Sequence, residues 1–312
     1  MNIVIAGGTG FIGRALCAAL MNGDHTVSVL TRHTGQVLHR PDVHINSVEW
    51  NARDIGPWEQ ALEGADAVIN LAGAPIAEAR WTDSRKRLIT DSRVLTTRLL
   101  VRAMSRRSSR PATFISASGI GYYGASDDRL LHEGSARGTG FLAELCLAWE
   151  AEAMSAAEFG TRVVIVRTGM VLETDGGALA KMVLPFRLFA GGPILPGTQW
   201  VSWIHRWDHI GLIEWALANT DLSGPLNAVA PEPVTMKTFC EVLGRVIHRP
   251  SWLPVPRFVL DALLGELGTL MTTGQRVIPV KAMAGGYTFQ YPTLEPALQA
   301  ILIGTTAARR AA

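Results

Sequence analysis

The clearest chemical signal in the sequence is a glycine-rich turn near its start. Glycines recur at three-residue spacing, at Gly7, Gly10 and Gly13. In such a turn the first glycine allows a sharp bend, the second lets a pyrophosphate approach the backbone, and the third lets the following helix lie close to a strand. The amides that open this helix would face phosphates with the positive end of the helix dipole. The residues predicted to bind dinucleotide phosphates are Gly7, Thr9, Gly10, Phe11, Ile12 and Gly13. The alternative is a glycine turn in an α/β protein that binds no phosphate.

The end of the second predicted strand indicates which dinucleotide is bound. The strand is followed by Thr31 and Arg32, and no Asp or Glu lies between Asp24 and Asp42. An acidic residue at this point usually holds the ribose 2′-hydroxyl of NAD. An arginine instead suits a 2′-phosphate, which a guanidinium binds through two hydrogen bonds. We therefore predict an NADP(H) pocket at Thr31 and Arg32. The alternative is that Arg32 is a solvated loop residue.

Other segments place candidate residues at the carboxyl ends of predicted strands, where parallel sheets bind ligands. The buried run 65–70 leads into a small-residue loop that would let the ribose or nicotinamide approach, unless it is a plain strand-to-helix turn. Arg93 adjoins the buried face of a long predicted helix, 82–104, and can turn towards cofactor phosphates, whereas the other arginines there are interpreted as a solvated face. The residues added to the cofactor site are Leu71, Ala72, Gly73, Arg93, Ser116 and Arg167.

Three side chains are candidates for catalysis. Ser118 follows the fifth predicted strand, and its hydroxyl can bind a substrate carbonyl or hydroxyl group. Tyr122, next to Tyr123 in the glycine-studded loop that follows, can supply a phenol. His205 lies on an aromatic, strand-like segment, 199–205, and an imidazole titrates near neutral pH. The structural alternatives are that Ser118 caps a turn, that the tyrosines line a pocket, and that His205 is a buried histidine with satisfied hydrogen bonds.

The elements that must position these residues indicate an α/β fold. Six apolar strands, beginning near residues 3, 26, 44, 65, 112 and 162, alternate with helices. This alternation predicts a doubly wound parallel sheet of the Rossmann type. Residues 1–168 are predicted to form the NADP-binding domain, with some later segments returning to it. Residues 169–312 lack a second such series and are predicted to form a smaller α+β lobe at the ligand edge.

Composition narrows the class of protein. The 312 residues are 48% hydrophobic and 18% charged, which allows a sizeable core, and a net charge of +2 argues against a nucleic-acid partner. Cys17, Cys146 and Cys240 are odd in number and far apart, which argues against a disulfide framework or a zinc cluster. The sequence opens on a strand and has no membrane-length apolar run, so neither a signal peptide nor a membrane partner is expected. We expect a cytoplasmic protein without a metal, with a small-molecule substrate and a homodimer as the candidate assembly.

Taken together, the motifs resemble the extended short-chain dehydrogenase/reductase superfamily. They are most similar to an atypical "epimerase family" subgroup, whose members bind NADP and carry a C-terminal domain of unknown function, DUF1731. The resemblance covers essentially the whole chain and implies a Rossmann fold with NADP(H), but it implies no particular substrate or reaction. The motifs that carry it are Gly7–Gly13, Asn70–Gly73, Arg80–Thr82, Ser92–Arg93, Gly121–Gly124, Arg167–Leu172, Trp203–His205 and Leu253–Pro292.

The sequence departs from the superfamily at the catalytic pair. Enzymes of the superfamily use a tyrosine as acid/base and a lysine four residues later, and none of the four tyrosines here has such a lysine. Phe141 and Leu145 occupy the expected positions, and neither can transfer a proton. One hypothesis is an NADP(H)-dependent oxidoreductase or nucleoside-sugar-epimerase-like protein acting on an unknown small carbonyl or hydroxyl compound; a pocket lined by Tyr122, Trp200, Trp203 and His205 would favour it. The other is a non-catalytic NADP(H)-binding sensor, which the missing pair favours.

Overall fold

The computed structural model of the chain describes residues 1–23, 25–33 and 45–304. Within these residues the strands are β1 (Asn2–Ala6), β2 (Thr26–Thr31), β3 (Asn46–Glu49), β4 (Ala67–Asn70), β5 (Thr113–Gly119), β6 (Leu130–Leu131), β7 (Arg162–Thr168), β8 (Met170–Leu172), β9 (Trp200–Val201), β10 (Trp203–His205), β11 (Gly224–Ala228), β12 (Val234–Thr235) and β13 (Arg276–Val277). The helices are α1 (Phe11–Asn22), α2 (Asp83–Ser105), α3 (Phe141–Met154), α4 (Gly177–Arg187), α5 (Arg206–Ala218), α6 (Met236–Val246), α7 (Arg257–Leu264), α8 (Glu266–Thr272), α9 (Val280–Ala284) and α10 (Leu294–Leu302). Short 3-10 helices cover Pro57–Leu62, Ile120–Tyr123 and Ser155–Phe159.

A parallel sheet forms the centre of the fold. Among the described residues it has seven strands in the order β11-β7-β5-β4-β1-β2-β3. Every neighbouring pair in it is parallel. The chain winds outward in both directions from β1, so the strand order reverses between β1 and β4, and a crevice for ligands opens at such a point. The predicted Rossmann-type fold is confirmed, and β11 adds a seventh strand from the C-terminal half.

Alternation along β1 divides the core between the two faces of the sheet. Ile3 and Ile5 pack into the core that includes α1 and α5, whereas Val4 and Ala6 pack into the core under α2. Successive strand side chains point to opposite faces, so a strand covered by helices on both faces must be apolar throughout. This requirement explains why the strands near the centre of the sheet are continuous apolar runs in the sequence.

The close approach of α1 to β1 depends on glycine. A methyl group added at Gly13 would lie 2.7 Å from the Cα of Gly8 and nearer still to the carbonyl oxygen of Gly7. Backbone atoms cannot move aside as a flexible side chain can, so a larger residue would push the helix away from the turn. The third glycine of the motif therefore has the packing role that its spacing predicted.

Two predicted elements are interrupted in the structure. The apolar pattern of residues 141–158 predicts a single helix, but the α-helix ends at Met154 and the chain continues as a 3-10 turn. At this point the Ser155 hydroxyl donates to the Glu152 carbonyl at 2.7 Å. The strand-like segment 199–205 divides at Ser202, whose hydroxyl donates to the Gln275 carbonyl at 2.8 Å. As a result β9 pairs with β12, whereas β10 pairs with β8.

The third strand begins later than its predicted start. It was expected over 44–50 and covers Asn46–Glu49, and His44 lies outside the described residues.

The C-terminal half adds β11 and α5 to the sheet and its core, and its remaining helices form a further core. Helices α4, α6 and α10 pack around a third apolar cluster that includes Phe186, Phe239 and Leu298. Strand β13 pairs in parallel with β6. The predicted domain boundary at residue 168 stays a prediction. Among the helices of the described part of the chain, none combines the length and apolarity that crossing a membrane requires.

Candidate functional site

The glycine turn forms an open cradle at the amino end of α1. Gly7 has a φ of +83°, and a methyl group added there would lie 2.7 Å from the carbonyl carbon of Leu71. Gly10 is exposed at the N-cap position, where no side chain caps the helix, and the first turn carries no acidic residue. The first amides of a helix have no acceptor within the helix. The residues present therefore fit an anionic phosphate group, which these amides can bind.

The loop after β4 closes one side of this cradle. The Leu71 amide donates to the Ala6 carbonyl at 2.8 Å, and the Ala72 amide donates to the Asn70 side chain at 3.2 Å. Asn70 is fully buried and is itself fixed by the Thr97 hydroxyl, so the loop has a defined shape. The structure thus brings the predicted Leu71, Ala72 and exposed Gly73 beside the glycine turn.

The predicted 2′-phosphate residues lie at the same edge of the sheet. β2 runs beside β1 in parallel register, so its last residue, Thr31, and the following Arg32 lie at the ligand edge. Thr31 is buried, and its hydroxyl oxygen accepts a hydrogen bond from the His33 amide at 3.2 Å. Arg32 is exposed. This geometry leaves the guanidinium accessible to a ligand at the carboxyl end of β2.

Phe11 connects the cradle to the C-terminal half. A methyl group added at Gly176 would lie 2.5 Å from the Phe11 ring, so the ring packs directly on this segment. The guanidinium of Arg206 lies 5.4 Å from the ring centroid and pairs with Glu173 and Asp175 at 3.1 and 2.6 Å. The amino end of α1 is therefore held by a charged cluster from beyond residue 168.

A buried ion pair joins the ends of β5 and β7 to the middle of α3. Arg167 of β7 stands opposite Ser118 of β5 in the sheet. The Arg167 Nε and Nη2 atoms donate to the two carboxylate oxygens of Glu150 at 2.9 and 2.8 Å. The Ser118 hydroxyl donates to Glu150 Oε1 at 2.6 Å. Burial lowers the pKa of Arg167, but hydrogen bonding and charge from Glu150 more than offset this, so the net pKa is raised.

The two tyrosines pack around the same guanidinium. Its carbon lies 3.4 Å from the centroid of the Tyr122 ring, a cation–π contact. Its Nη1 donates to the Tyr123 hydroxyl oxygen at 3.1 Å, and that hydroxyl donates to Asn227 Oδ1 at 2.8 Å. Burial raises the pKa of Tyr123, so its phenol is neutral and retains its proton. Three predicted residues, Ser118, Tyr122 and Arg167, are therefore brought together.

The network continues into the C-terminal half through Asn227 of β11. Its backbone nitrogen donates to Glu133 Oε1 at 3.1 Å, and its side-chain Nδ2 donates to the Ile278 carbonyl at 3.0 Å. The same Glu133 oxygen accepts from the Lys281 amide at 3.3 Å. Fixed hydrogen bonds thus couple the sheet edge to the segment around α9.

An apolar wall occupies the positions of the missing catalytic pair. Phe141 packs edge-on against Trp81 with 5.1 Å between ring centroids, and Leu145 is 4% exposed. Both belong to an apolar cluster with Trp149 of the same helix. The Lys86 ammonium lies 5.4 Å from the centroid of the Phe141 ring and pairs with Glu266. These side chains can enclose a ligand but cannot exchange protons with it.

His205 is engaged in structural contacts away from this network. Its ring stacks on Tyr291 with 4.0 Å between centroids, and its Nδ1 accepts from the Trp207 amide, capping α5. Burial, followed by the positive charge of Arg206, lowers its pKa to about 4. The imidazole is therefore neutral at physiological pH. Its proposed acid/base role stays a prediction, and these contacts favour the structural alternative.

The remaining predicted cofactor residues, Ser116 and Arg93, are both buried. Ser116 is fully buried in β5, and its hydroxyl donates to the Ala117 carbonyl at 3.4 Å. Arg93 is 8% exposed on α2, and its Nη1 donates to the Ile89 carbonyl at 3.1 Å. Both lie at the β4–β5 side of the sheet edge. Their assignment to the cofactor stays a prediction.

Sequence reasoning missed the acidic and amide members of the network, which are Glu133, Glu150 and Asn227. Glu150 gave one weak signal, a carboxylate in an otherwise apolar stretch of α3 next to Trp149. Glu133 and Asn227 gave none, because their partners lie far away in the sequence. Among the described residues, no group of three or more His, Cys, Asp or Glu side chains could hold a metal ion.

Comparison with known proteins gives family matches along most of the chain. The NAD dependent epimerase/dehydratase family model matches residues 3–228, and the domain of unknown function DUF1731 matches residues 255–301. The chain is 41% identical over 307 residues to the epimerase family protein SDR39U1 homolog, chloroplastic, of Arabidopsis thaliana, covering 97% of this chain and 87% of that one. It is 40% identical over 303 residues to the epimerase family protein YfhF of Bacillus subtilis, covering 97% and 98%.

A solved structure extends this similarity to three dimensions. The crystal structure of human epimerase family protein SDR39U1 (isoform 2) with NADPH superposes with a TM-score of 0.87 at 33% identity, covering 98% of this chain and 100% of that one. The chain is therefore similar to these proteins over nearly its whole length.

The Arg167–Glu150 pair should contribute strongly to the free energy of unfolding. We expect Arg167→Met to lower the free energy of unfolding by about 3–5 kcal/mol, because Glu150 would keep a buried charge without its partner. The measurement is urea denaturation at pH 7. The matched control is Arg98→Met, which removes the partner of Glu152 in a more exposed pair between α2 and α3 and should cost much less. An equal loss from both variants would contradict this role.

The buried imidazole of His205 should make stability depend on pH. Unfolded histidine takes up a proton near pH 6.5, whereas folded His205 resists protonation until about pH 4, so stability should fall as the pH drops from 6.5 towards 4. The contribution is at most about 1.4 kcal/mol per pH unit. His205→Asn can keep the helix cap without a titrating ring and should remove the share of this slope that His205 contributes. The share of His209, whose pKa burial also lowers to about 4, should remain. Urea midpoints between pH 7 and 4.5 test this, with Tyr291→Phe as the control that keeps the imidazole and the wild-type slope.

Proposed function

Because the chain belongs to the NAD dependent epimerase/dehydratase family, as its motifs predicted, we propose that it binds NADP(H) and acts on a small carbonyl or hydroxyl compound as an oxidoreductase or epimerase-like enzyme. The observation that carries this proposal is the uncapped amino end of α1, which opens at the same sheet edge as the exposed Arg32. The cytoplasmic location, the homodimeric assembly and the absence of a nucleic-acid partner stay predictions.

The cofactor residues divide by the part of NADP(H) that each would hold. Gly10 and the amides after it would bind the diphosphate, and Thr31 and Arg32 would bind the 2′-phosphate. Leu71 to Gly73 would lie along the nicotinamide side. The NADPH bound to human SDR39U1, which is 33% identical to this chain, supports the same choice of cofactor. When bound, the nicotinamide supplies hydride transfer, and the protein must bind, orient and exchange a proton with the substrate.

Ser118 and Tyr122 offer complementary hydrogen-bonding roles. The Ser118 proton is donated to Glu150, so this hydroxyl is left to accept a hydrogen bond from a substrate hydroxyl. Within the described residues, the Tyr122 hydroxyl has no hydrogen-bond partner, and its ring is held against Arg167. Its proton is therefore available to a substrate oxygen. We assign Ser118 as the acceptor and Tyr122 as the donor for the substrate.

A sensor is the second candidate function. It is favoured by one specific observation, the apolar Phe141 and Leu145 at the positions of the superfamily's tyrosine and lysine. A protein that only binds NADP(H) needs no proton-transfer group. Contacts from the cradle to the C-terminal half, such as that of Phe11 with Gly176, would then transmit the bound state.

Arg32 should determine the preference between the two nicotinamide cofactors. We expect Arg32→Ala to raise the NADPH dissociation constant about tenfold, or about 1.4 kcal/mol, since a charge-assisted contact to the 2′-phosphate is lost. NADH lacks that phosphate, so its affinity should not change. Calorimetric titration of both cofactors makes the comparison, with the exposed Arg87→Ala of α2 as control. Wild-type protein that preferred NADH would refute the NADP(H) assignment.

A substrate screen should separate the enzyme from the sensor. We expect NADPH oxidation with at least one member of a panel of small aldehydes, ketones and 2-oxo acids. Ser118→Ala and Tyr122→Phe should each lower kcat at least tenfold while the NADPH dissociation constant stays within a factor of two. A panel without turnover, from protein that binds NADPH tightly, would favour the sensor instead.

A further inference from the structure

Arg93 carries a buried positive charge without an acidic partner in the described part of the chain. It is 8% exposed, and none of the ion pairs among the described residues includes it. Its Nη1 donates to the Ile89 carbonyl, but its Nε is buried and has no hydrogen-bond partner. Burying a charge without a counter-ion is costly, so proteins normally pair it or present it to a ligand. Burial lowers the pKa of this guanidinium to about 10, which leaves it charged at neutral pH.

The guanidinium lies against the exposed loop at the carboxyl end of β4. A methyl group added at Gly73 would be 2.9 Å from the guanidinium carbon and 3.1 Å from Nη2. Only a glycine leaves room for the side chain at this distance. Trp149 of α3 also contacts the guanidinium, with its ring centroid 5.3 Å from the same carbon. The charge thus lies against a bare backbone and an aromatic ring, and it is largely shielded from water.

The same guanidinium lies towards the end of the site that contains Ser118, whose hydroxyl is predicted to bind the substrate. The guanidinium contacts Trp149, the residue before Glu150, and the Glu150 carboxylate accepts from the Ser118 hydroxyl at 2.6 Å. Burial raises the pKa of the Cys146 thiol on the same helix, and the Ser118 hydroxyl and the Arg93 charge act in the opposite direction. The Cys146 sulfur is 3.6 Å from the carbonyl oxygen of Gly119, the residue after Ser118. Arg93 therefore belongs to the β5 end of the site, whereas the cradle for the diphosphate is at the end of β1.

We propose that Arg93 binds an oxyanion of the substrate, a carboxylate or a phosphate, and so restricts the substrate to anionic carbonyl or hydroxyl compounds. This inference rests on the proposed function. It differs from the sequence-based assignment of Arg93 to the cofactor phosphates, which already have the α1 amides and Arg32. An arginine suits either oxyanion because its planar fork can donate two parallel hydrogen bonds.

The test uses full-length protein saturated with NADPH and two probes, oxamate as a 2-oxo acid isostere and inorganic phosphate. We expect calorimetry to detect binding of at least one probe. Arg93→Met should weaken that binding at least tenfold, while the NADPH dissociation constant changes less than threefold. Arg87→Met removes an exposed arginine from the same helix and should change neither affinity. Oxamate binding would assign a carboxylate, and phosphate binding alone would assign a phosphate monoester.

A second variant guards against misfolding of Arg93→Met. Gly73→Ala keeps the charge but must displace the guanidinium, so it should also weaken probe binding at least tenfold. A tenfold loss of NADPH affinity in Arg93→Met, without probe binding to the wild type, would overturn the proposal and return Arg93 to the cofactor. Absence of probe binding with unchanged NADPH affinity would overturn it as well. Wild-type protein that failed to bind NADPH would instead refute the proposed function.

Discussion

The ion pair between Arg167 and Glu150 is the interaction on which the arrangement of the site depends. It is almost completely buried, and it joins the end of β7 to the middle of α3. Desolvating two charges is favourable only when their geometry is good and their remaining hydrogen-bonding groups are satisfied. Here the guanidinium also donates to Tyr123 and packs under Tyr122, while the carboxylate also accepts from Ser118. One salt bridge thereby holds Ser118, Tyr122 and Tyr123 in place at the β5–β7 edge.

A second constraint is the close packing of the backbone at the glycine turn. It acts on the β1 side of the point where the strand order reverses. Gly7 meets the loop after β4, and Gly13 lets α1 approach the end of β1. Both contacts involve backbone rather than side chains, so they position amides with little freedom to relax. The site therefore combines a rigid backbone cradle at β1 with a side-chain network at β5 and β7. Each part occupies one side of the crevice in which a dinucleotide and a substrate would lie together.

The sequence predicted the glycine-turn cradle better than the side-chain network at β5 and β7. The cradle depends on residues close together in the sequence, whereas the network joins residues that are far apart in it. The glycine turn, Arg32 and the buried strands are specified by local spacing and strand periodicity, and the Rossmann-type sheet follows from their alternation. Glu150 could not be identified in this way, because its partners Ser118 and Arg167 lie 32 and 17 residues away. The division of the aromatic strand at Ser202 escaped prediction for the same reason, since the hydroxyl responsible for it bonds to residue 275.

The missing tyrosine–lysine pair has a physical consequence for the direction of proton transfer. In the superfamily's pair, one phenol both gives and receives the proton, because the neighbouring ammonium stabilises the phenolate and so lowers the pKa of the phenol. Here the two functions are divided. The Ser118 proton is held by Glu150, so this hydroxyl can meet a ligand as an acceptor, whereas the buried Tyr123 hydroxyl donates to Asn227 and accepts from Arg167. Tyr122 keeps an uncommitted proton within the described residues, but its ring contacts the guanidinium through its face, not its hydroxyl. A site with a separate acceptor and donor suits a substrate that presents a hydroxyl group and a second oxygen at the same time. The positive charge of Arg93 near the same edge would favour a negatively charged second oxygen.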